Sequence, residues 1–406
     1  MGIQFSAWQL TALTAVLLLA FAASLGMAFN VDAIALAYGA TNSSAGLVAS
    51  AELGAIAAGV LTFARFAGRW PTQRIYVVGV SLILVGTLVS MLASDVLSLL
   101  VLRIPTGLAL GAVSATIMAT AARSSAPETT FGVINSAVGA MGMFMAYVLP
   151  RALNWHVDLN AVMGDGGWTY DELDGLYIVY IACGLIAFGF IRGVPSVHDD
   201  GKKSVGAKQS PGRIGWIALF ALGFMFFGHG SLGIFLVRVG RELGLSGSTI
   251  GYVFMAGAVV GITAPLIAGY IGARMRPMVP MIVIVCGLLL ACFTVASTTT
   301  VWPFYIAAPL FGALPTALLP ILLGVLSRFD ATGTLAGAHA AFVLVGGAVA
   351  PFAGGYVRDL GDNFLLNGYF ACACIAIGFV FMLPVLRFDG AASRHRSGSP
   401  QPLPTR

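Results

Sequence analysis

Charge is what this sequence has least of. Asp, Glu, Lys and Arg make up 9% of its 406 residues, against about 25% in soluble domains, so a water-exposed globular surface is excluded. Cysteine is scarce as well: Cys183, Cys286, Cys292, Cys372 and Cys374 all fall within apolar runs, where a thiol behaves as a small apolar group and no disulfide is expected. His198 has no neighbouring Cys or His with which to make a metal site. There is no HExxH, no GxSxG in a strand context and no GxxxxGKS, so the motifs of zinc proteases, serine hydrolases and nucleotide-driven machines are all missing. The chain is not expected to be an enzyme or to carry a metal or cofactor, and any pumping must draw on an ion gradient.

What the sequence has instead is apolar length. Hydrophobic residues account for 58% of the chain and the mean hydropathy is +0.93. A bilayer-spanning helix needs roughly 20 mostly apolar residues at about 1.5 Å of rise each. Spans are expected near 10–37, 45–64, 75–93, 97–121, 130–150, 173–192, 214–237, 248–270, 277–297, 302–326, 333–356 and 365–386. The predicted fold is therefore all-α and polytopic, with twelve transmembrane helices. The first run is too long for a cleaved signal peptide and lacks a basic leader, so it is expected to stay as the first span.

Twelve spans put both termini on one side. Lys and Arg favour short cytoplasmic loops, and here they divide unevenly. Sixteen (Arg65, Arg69, Arg74, Arg123, Arg192, Lys202, Lys203, Lys208, Arg213, Arg274, Arg276, Arg328, Arg387, Arg394, Arg396 and Arg406) lie on one side, and Arg151, Arg238, Arg241 and Arg358 on the other. The termini are accordingly expected in the cytoplasm, in a multi-pass protein of the cell (plasma) membrane. The net charge of +5 has the same origin and gives no reason to expect nucleic-acid binding.

The polar, Gly-, Ser- and Lys-rich stretch SVHDDGKKSVGAKQSPGR at 196–213 breaks the chain in the middle. It suggests a six-helix bundle over 1–192, a linker over 193–213, a second six-helix bundle over 214–387 and a disordered tail over 388–406. The halves resemble each other at an offset of 205 residues: GLVASAELGAI at 46–56 matches GYVFMAGAVVG at 251–261, and Gly107, Gly132 and Gly142 pair with Gly312, Gly337 and Gly347. Two parallel repeats are a common plan of secondary transporters.

Two further segments carry a family likeness. LLVLRIPTGLALGA at 99–112 places Arg103 four residues before Gly107, and GGAVAPFAGGYVRDLG at 346–361 is a Gly/Pro-rich helix exit running into a charged loop. With them, the chain from Trp8 to Arg387 resembles the major facilitator superfamily of transporters. The resemblance implies alternating access between two bundles and a gating role for the loop between the second and third spans. In that loop Gly68 and Arg69 are present, but Arg65 stands where family members carry an acid, and the counterpart GYIGARMRP at 269–277 has no acid either.

Ionisable residues inside the membrane are functional candidates by default. They are Asp32, Glu52 and Arg103. Asp32 reads as a proton carrier or as a polar residue at the outer exit of the first span. Glu52, on the outer half of the second span, either shares a proton with Asp32 or faces an aqueous vestibule. Arg103 shares a helical face with Gly107 and Gly111 and so points into the bundle. The family likeness implies that Arg103 serves in proton transfer or anion binding, and the competing reading is a structural ion pair with Asp32. Asn30, Asn135, Phe227, His229 and His339 are candidate cavity residues, although a lone helix His is more often a packing residue. Since residues two apart do not share a helix face, only one of Asn30 and Asp32 is expected to point squarely into the cavity. The outer loop at 154–175 is expected to be structural, with a Thr169/Glu172 capping box and Trp155 and Trp168 as interfacial anchors.

Together these residues suggest a monomeric secondary transporter in the lipid bilayer, moving a small molecule with protons. A free Arg103 favours symport of an organic anion, whereas Arg103 neutralised by Asp32 favours export of lipophilic compounds in exchange for protons. A third reading, from another class, is an assembly factor or sensor that keeps the carrier fold.

Overall fold

The computed structural model describes residues 4–66, 71–163, 169–195, 213–272, 274–329 and 334–397. In chain order its helices are α1 (Ala7–Leu25), α2 (Met27–Ala37), α3 (Asn42–Phe66), α4 (Thr72–Ser90), α5 (Val96–Ala121), α6 (Pro127–Ala152), α7 (Trp155–Met163), α8 (Glu172–Phe190), α9 (Arg213–Gly233), α10 (Leu236–Glu242), α11 (Gly247–Gly272), α12 (Met278–Ser297), α13 (Val301–Phe329), α14 (Thr334–Asp359) and α15 (Leu365–Ser397). Among the described residues eleven helical segments are long and apolar enough to cross a membrane. In lipid the helix is the natural choice, because it satisfies every backbone N–H and C=O within the segment.

The first apolar run is not one helix. It breaks at Gly26 into α1 and α2, where the chain passes so close to α8 that only glycine fits: a Cβ there would stand 2.1 Å from the Tyr180 hydroxyl oxygen. The same break recurs between α9 and α10. Adding 205 to the bounds of α3 gives 247–271, against Gly247–Gly272 for α11. The same shift of α5 gives 301–326, against Val301–Phe329 for α13. The sequence repeat is thus a structural repeat, down to the broken first helix of each half.

Helices α1 to α8 pack chiefly on one another, as do α9 to α15, with two large contacts between the groups: α3 on α14, and α6 on α11. The 205-residue shift relates these two contacts to each other. Both include close backbone approaches at one end. A Cβ on Gly46 would lie 2.3 Å from Pro351 O, one on Gly355 2.2 Å from Asn42 O, and one on Gly251 2.3 Å from Ala146 O. Backbone thus lies on backbone with no side chain between, the small-residue packing that membrane helices use. Farther along the same helices, Gly54 on α3 and Gly347 on α14 have nothing within 4 Å of the Cβ position. The closest approaches between the two groups thus lie at the end bearing the α2–α3 and α10–α11 connections, and α3 and α14 are less close toward the other.

Three local expectations are corrected. Helix α7 occupies part of the loop at 154–175. The cap of α8 is Asp171 with Asp174, not Thr169 with Glu172, because the helix begins at Glu172 and its cap must directly precede it. Burial pushes the Asp171 carboxyl above its usual range, against the pull of the backbone N–H donors of Asp174 and Leu173. Helix α15 runs on to Ser397, beyond Arg387, since no proline follows Pro384 before Pro400 to stop it.

Candidate functional site

Each intramembrane carboxylate has its own arginine. Glu52 on α3 accepts from Arg103 Nε on α5 at 2.9 Å, and its second oxygen accepts from Arg103 Nη2. Both side chains are buried, Arg103 to 2% exposure and Glu52 to 3%. The fork reaches the carboxylate because Gly107 and Gly111 let α5 lie on the backbone of α3: Cβ atoms there would stand 2.6 Å from Glu52 O and 2.2 Å from Ile56 O. The Tyr177 ring of α8 lies 5.3 Å from the guanidinium carbon, and Tyr180 on the same helix donates to Asn30 Oδ1 at 2.9 Å. Arg103 Nη1 is buried with no hydrogen-bond partner among the described residues. A buried planar fork with one donor group left over is suited to a second acceptor.

Asp32 points elsewhere. Its Oδ2 accepts from Arg241 Nε on α10 at 2.6 Å, with Asp32 2% exposed and Arg241 36%. This ion pair crosses between the two helix groups at their closed end, and it has company. Arg238 Nη1 donates to Asn42 Oδ1 at 2.5 Å. Asn42 Nδ2 and the Ser43 N–H donate to the two oxygens of Asp359 on α14, each at 2.8 Å. The Phe352 N–H donates to Ser50 Oγ at 2.9 Å. Arg358 pairs with Glu242 at 2.7 Å, and Arg151 donates to Tyr252 Oη at 3.1 Å.

The competing reading, a pairing of Asp32 with Arg103, is therefore not formed, and of the two readings of Glu52 the one with a proton shared with Asp32 is not formed either. The reason is the pitch of α2: Asn30 and Asp32, two residues apart, leave it in different directions. One reaches Tyr180 beside the Glu52–Arg103 pair and the other reaches Arg241.

The second half carries its polar residues differently. His229 Nε2 lies 3.1 Å from Phe311 O, and the reason is Pro315. Four residues on in α13, proline has no N–H to give that carbonyl, so the imidazole N–H supplies the missing donor and fixes the tautomer. The His229 and Phe311 rings lie 4.4 Å apart, which makes His229 a packing residue here. Phe227 sits between Phe224 and Phe370 at 5.9 and 5.8 Å. Asn135 is exposed on α6, one turn from Gly139, whose Cβ position lies 3.0 Å from Ile262 of α11. It thus stands beside the α6–α11 contact. His339 is half-buried on α14. Arg65 falls in the last turn of α3 with its side chain outside the described residues, as are Gly68 and Arg69 altogether.

Sequence reasoning missed Arg238, Arg241, Asp359, Tyr177 and Tyr180. One signal was available: the four arginines on the minority side of the charge count, Arg151, Arg238, Arg241 and Arg358, all lie in the closed-end network.

The family model described as Major Facilitator Superfamily matches residues 11–351. No curated protein matches the chain. Among solved structures, a bacterial homologue of the human lysosomal transporter Spinster, inward-facing and unoccupied, aligns with a TM-score of 0.68 at 16% identity, over 96% of this chain and 97% of that one. The nucleoside transporter NupG aligns at 0.71 with 12% identity, over 92% and 99%. A structure from work on proton-dependent oligopeptide transporters aligns at 0.67 with 13% identity, over 96% and 100%. At such identities the likeness is one of fold, and with the family match it makes the conclusion plain: the chain belongs to the major facilitator superfamily and is a membrane transporter, not an enzyme.

Proposed function

We propose that the protein is a monomeric, proton-coupled transporter of the cell membrane that carries a small organic anion together with protons. Its two six-helix bundles, 1–192 and 214–387, rock about a central site, with both termini in the cytoplasm. The count of twelve spans takes α1 and α2 as one, by analogy with α9 and α10, which together form one apolar segment, Arg213–Glu242. The arginine bias makes the closed end the outer one, so this conformation opens toward the cytoplasm.

The observation that carries the reading is the buried Glu52–Arg103 pair with Arg103 Nη1 left over. Removing either partner strands a charge in low dielectric, so the pair is expensive unless it is used. A proton on Glu52 cancels its charge and frees the Arg103 fork, which then binds a carboxylate or similar anion. Proton and anion thus enter together and leave together, which is symport. Asp32 is the second proton site: its protonation weakens the pair with Arg241 that holds the outer end shut. Asn135 and His339 are the proposed cavity contacts. The aromatic surface of Phe224, Phe227 and Phe370 favours the competing reading, exchange of lipophilic compounds for protons.

The test is proton movement in proteoliposomes holding a trapped pH dye, challenged with organic acids, sugars and lipophilic cations. Symport predicts acidification of the lumen that depends on an organic acid and is lost in Glu52→Gln. Alkalinisation driven by a lipophilic cation would support the exchange reading instead.

A further inference from the structure

A groove on the outer surface of the first helix group stands apart from both ion pairs. Helix α4 packs on α5 and α8 and turns Val78 and Leu82 outward, 57% and 51% exposed. Together with Phe63 of α3 they wall a trough whose floor is α5, where Pro105, Ala109 and Ala112 stand low. Its volume is about 550 Å³. At one end lies Arg74, on the first turn of α4, exposed and with no side-chain partner among the described residues.

The dimensions fit the bilayer. From Arg74 to Leu82 is eight residues, about 12 Å of helix rise, against about 15 Å for half of the hydrocarbon core. The trough therefore runs from headgroup level to near the midplane, the depth reached by one acyl chain of the adjoining leaflet. Its apolar walls suit that chain. An unpaired guanidinium at the mouth suits a phosphate, and suits best a headgroup with no ammonium of its own to compete for that phosphate.

We propose that this α3–α4–α5 groove is a binding site for an anionic phospholipid, with one acyl chain in the trough and its phosphate on Arg74. The site is independent of what the protein transports.

The test uses the purified full-length protein in detergent, with lipid binding read by native mass spectrometry. Phosphatidylglycerol, phosphatidylcholine of the same chains and inorganic phosphate are compared. Wild type is expected to bind phosphatidylglycerol about five-fold more tightly than phosphatidylcholine, the effect of one basic residue at a charged lipid surface, and inorganic phosphate far more weakly than either. Arg74→Gln is expected to bring the two lipids level. Val78→Trp, which fills the trough from an exposed position, is expected to weaken both. Equal binding of the two lipids by wild type, or a preference that survives Arg74→Gln, overturns the headgroup assignment. Undiminished binding by Val78→Trp overturns the acyl-chain assignment. Unchanged circular dichroism in both variants separates these outcomes from misfolding.

Discussion

Replacing Asp32 by Asn should loosen the closed end by a calculable amount. The substitution removes the charge from a carboxylate that is 2% exposed and accepts from Arg241 Nε at 2.6 Å. A hydrogen bond to a charged group contributes about 1.5–3 kcal/mol net. Arg241 is 36% exposed and recovers water when the pair breaks, so the value is discounted to about 1–2 kcal/mol, from just below that range to its lower part. The bonds from Asn42 and Ser43 to Asp359 and from Phe352 to Ser50 remain, so the end opens in a larger fraction of molecules without losing its closed form. A change of 1–2 kcal/mol moves the closed-to-open ratio by a factor of about 5–30. Electron–electron distance measurements between spin labels on Thr41 and Leu360, in a background without the native cysteines, read that ratio directly. Arg241→Gln strands the buried Asp32 carboxylate and should shift the ratio in the same direction by at least as much. Lowering the pH protonates Asp32 and should move wild type in the same direction while leaving Asp32→Asn unmoved. Distance distributions within two-fold of wild type in both variants would refute the latch.

Further outcomes follow from the same contacts. Gly46→Ala places a methyl group 2.3 Å from Pro351 O and should open the same end, whereas Gly54→Ala, with nothing within 4 Å, should leave the label distances unchanged. His229→Ala strips the donor from the Phe311 carbonyl and should lower the melting temperature through a loss of about 1–3 kcal/mol; His229→Gln, which keeps an N–H, should recover much of it. Asp171→Ala removes the α8 cap and should cost about 1 kcal/mol, while Asp171→Asn keeps the cap. Because burial raises the folded Asp171 carboxyl above its unfolded value, the folded state binds the proton more tightly. Its contribution to stability therefore grows as pH falls through the folded pKa toward the unfolded one. Thermal melts of wild type should gain on those of Asp171→Asn over that window.

The elements of the fold were legible because the bilayer simplifies the code: length and apolarity mark a span. The 205-residue repeat was visible as glycines at matching positions, and it returned as matching helix bounds and matching cross-group contacts. The break at Gly26 was not legible, since an apolar run has the same composition on either side of a kink. Of the site, Glu52, Arg103 and the glycine face beneath Arg103 could be found by asking which polar groups lie in lipid. Their pairing could not, because Glu52 and Asp32 both lie on the side of the α2–α3 connection, and the choice between them turns on the direction in which α2 leaves Gly26. Arg241 was hidden by its position at the end of a span, where an arginine looks like an interfacial residue. The demand of Pro315 for a donor to the Phe311 carbonyl could be inferred from sequence, but the identity of that donor, 82 residues away, could not.

The central claim is that Glu52 carries the coupling proton, and transport by Glu52→Gln tests it most directly. In proteoliposomes, exchange of labelled for unlabelled organic anion needs only alternating access, whereas uphill accumulation under an imposed pH gradient needs the proton. Glu52→Gln should retain exchange and lose accumulation. Accumulation at the wild-type level by Glu52→Gln would contradict it.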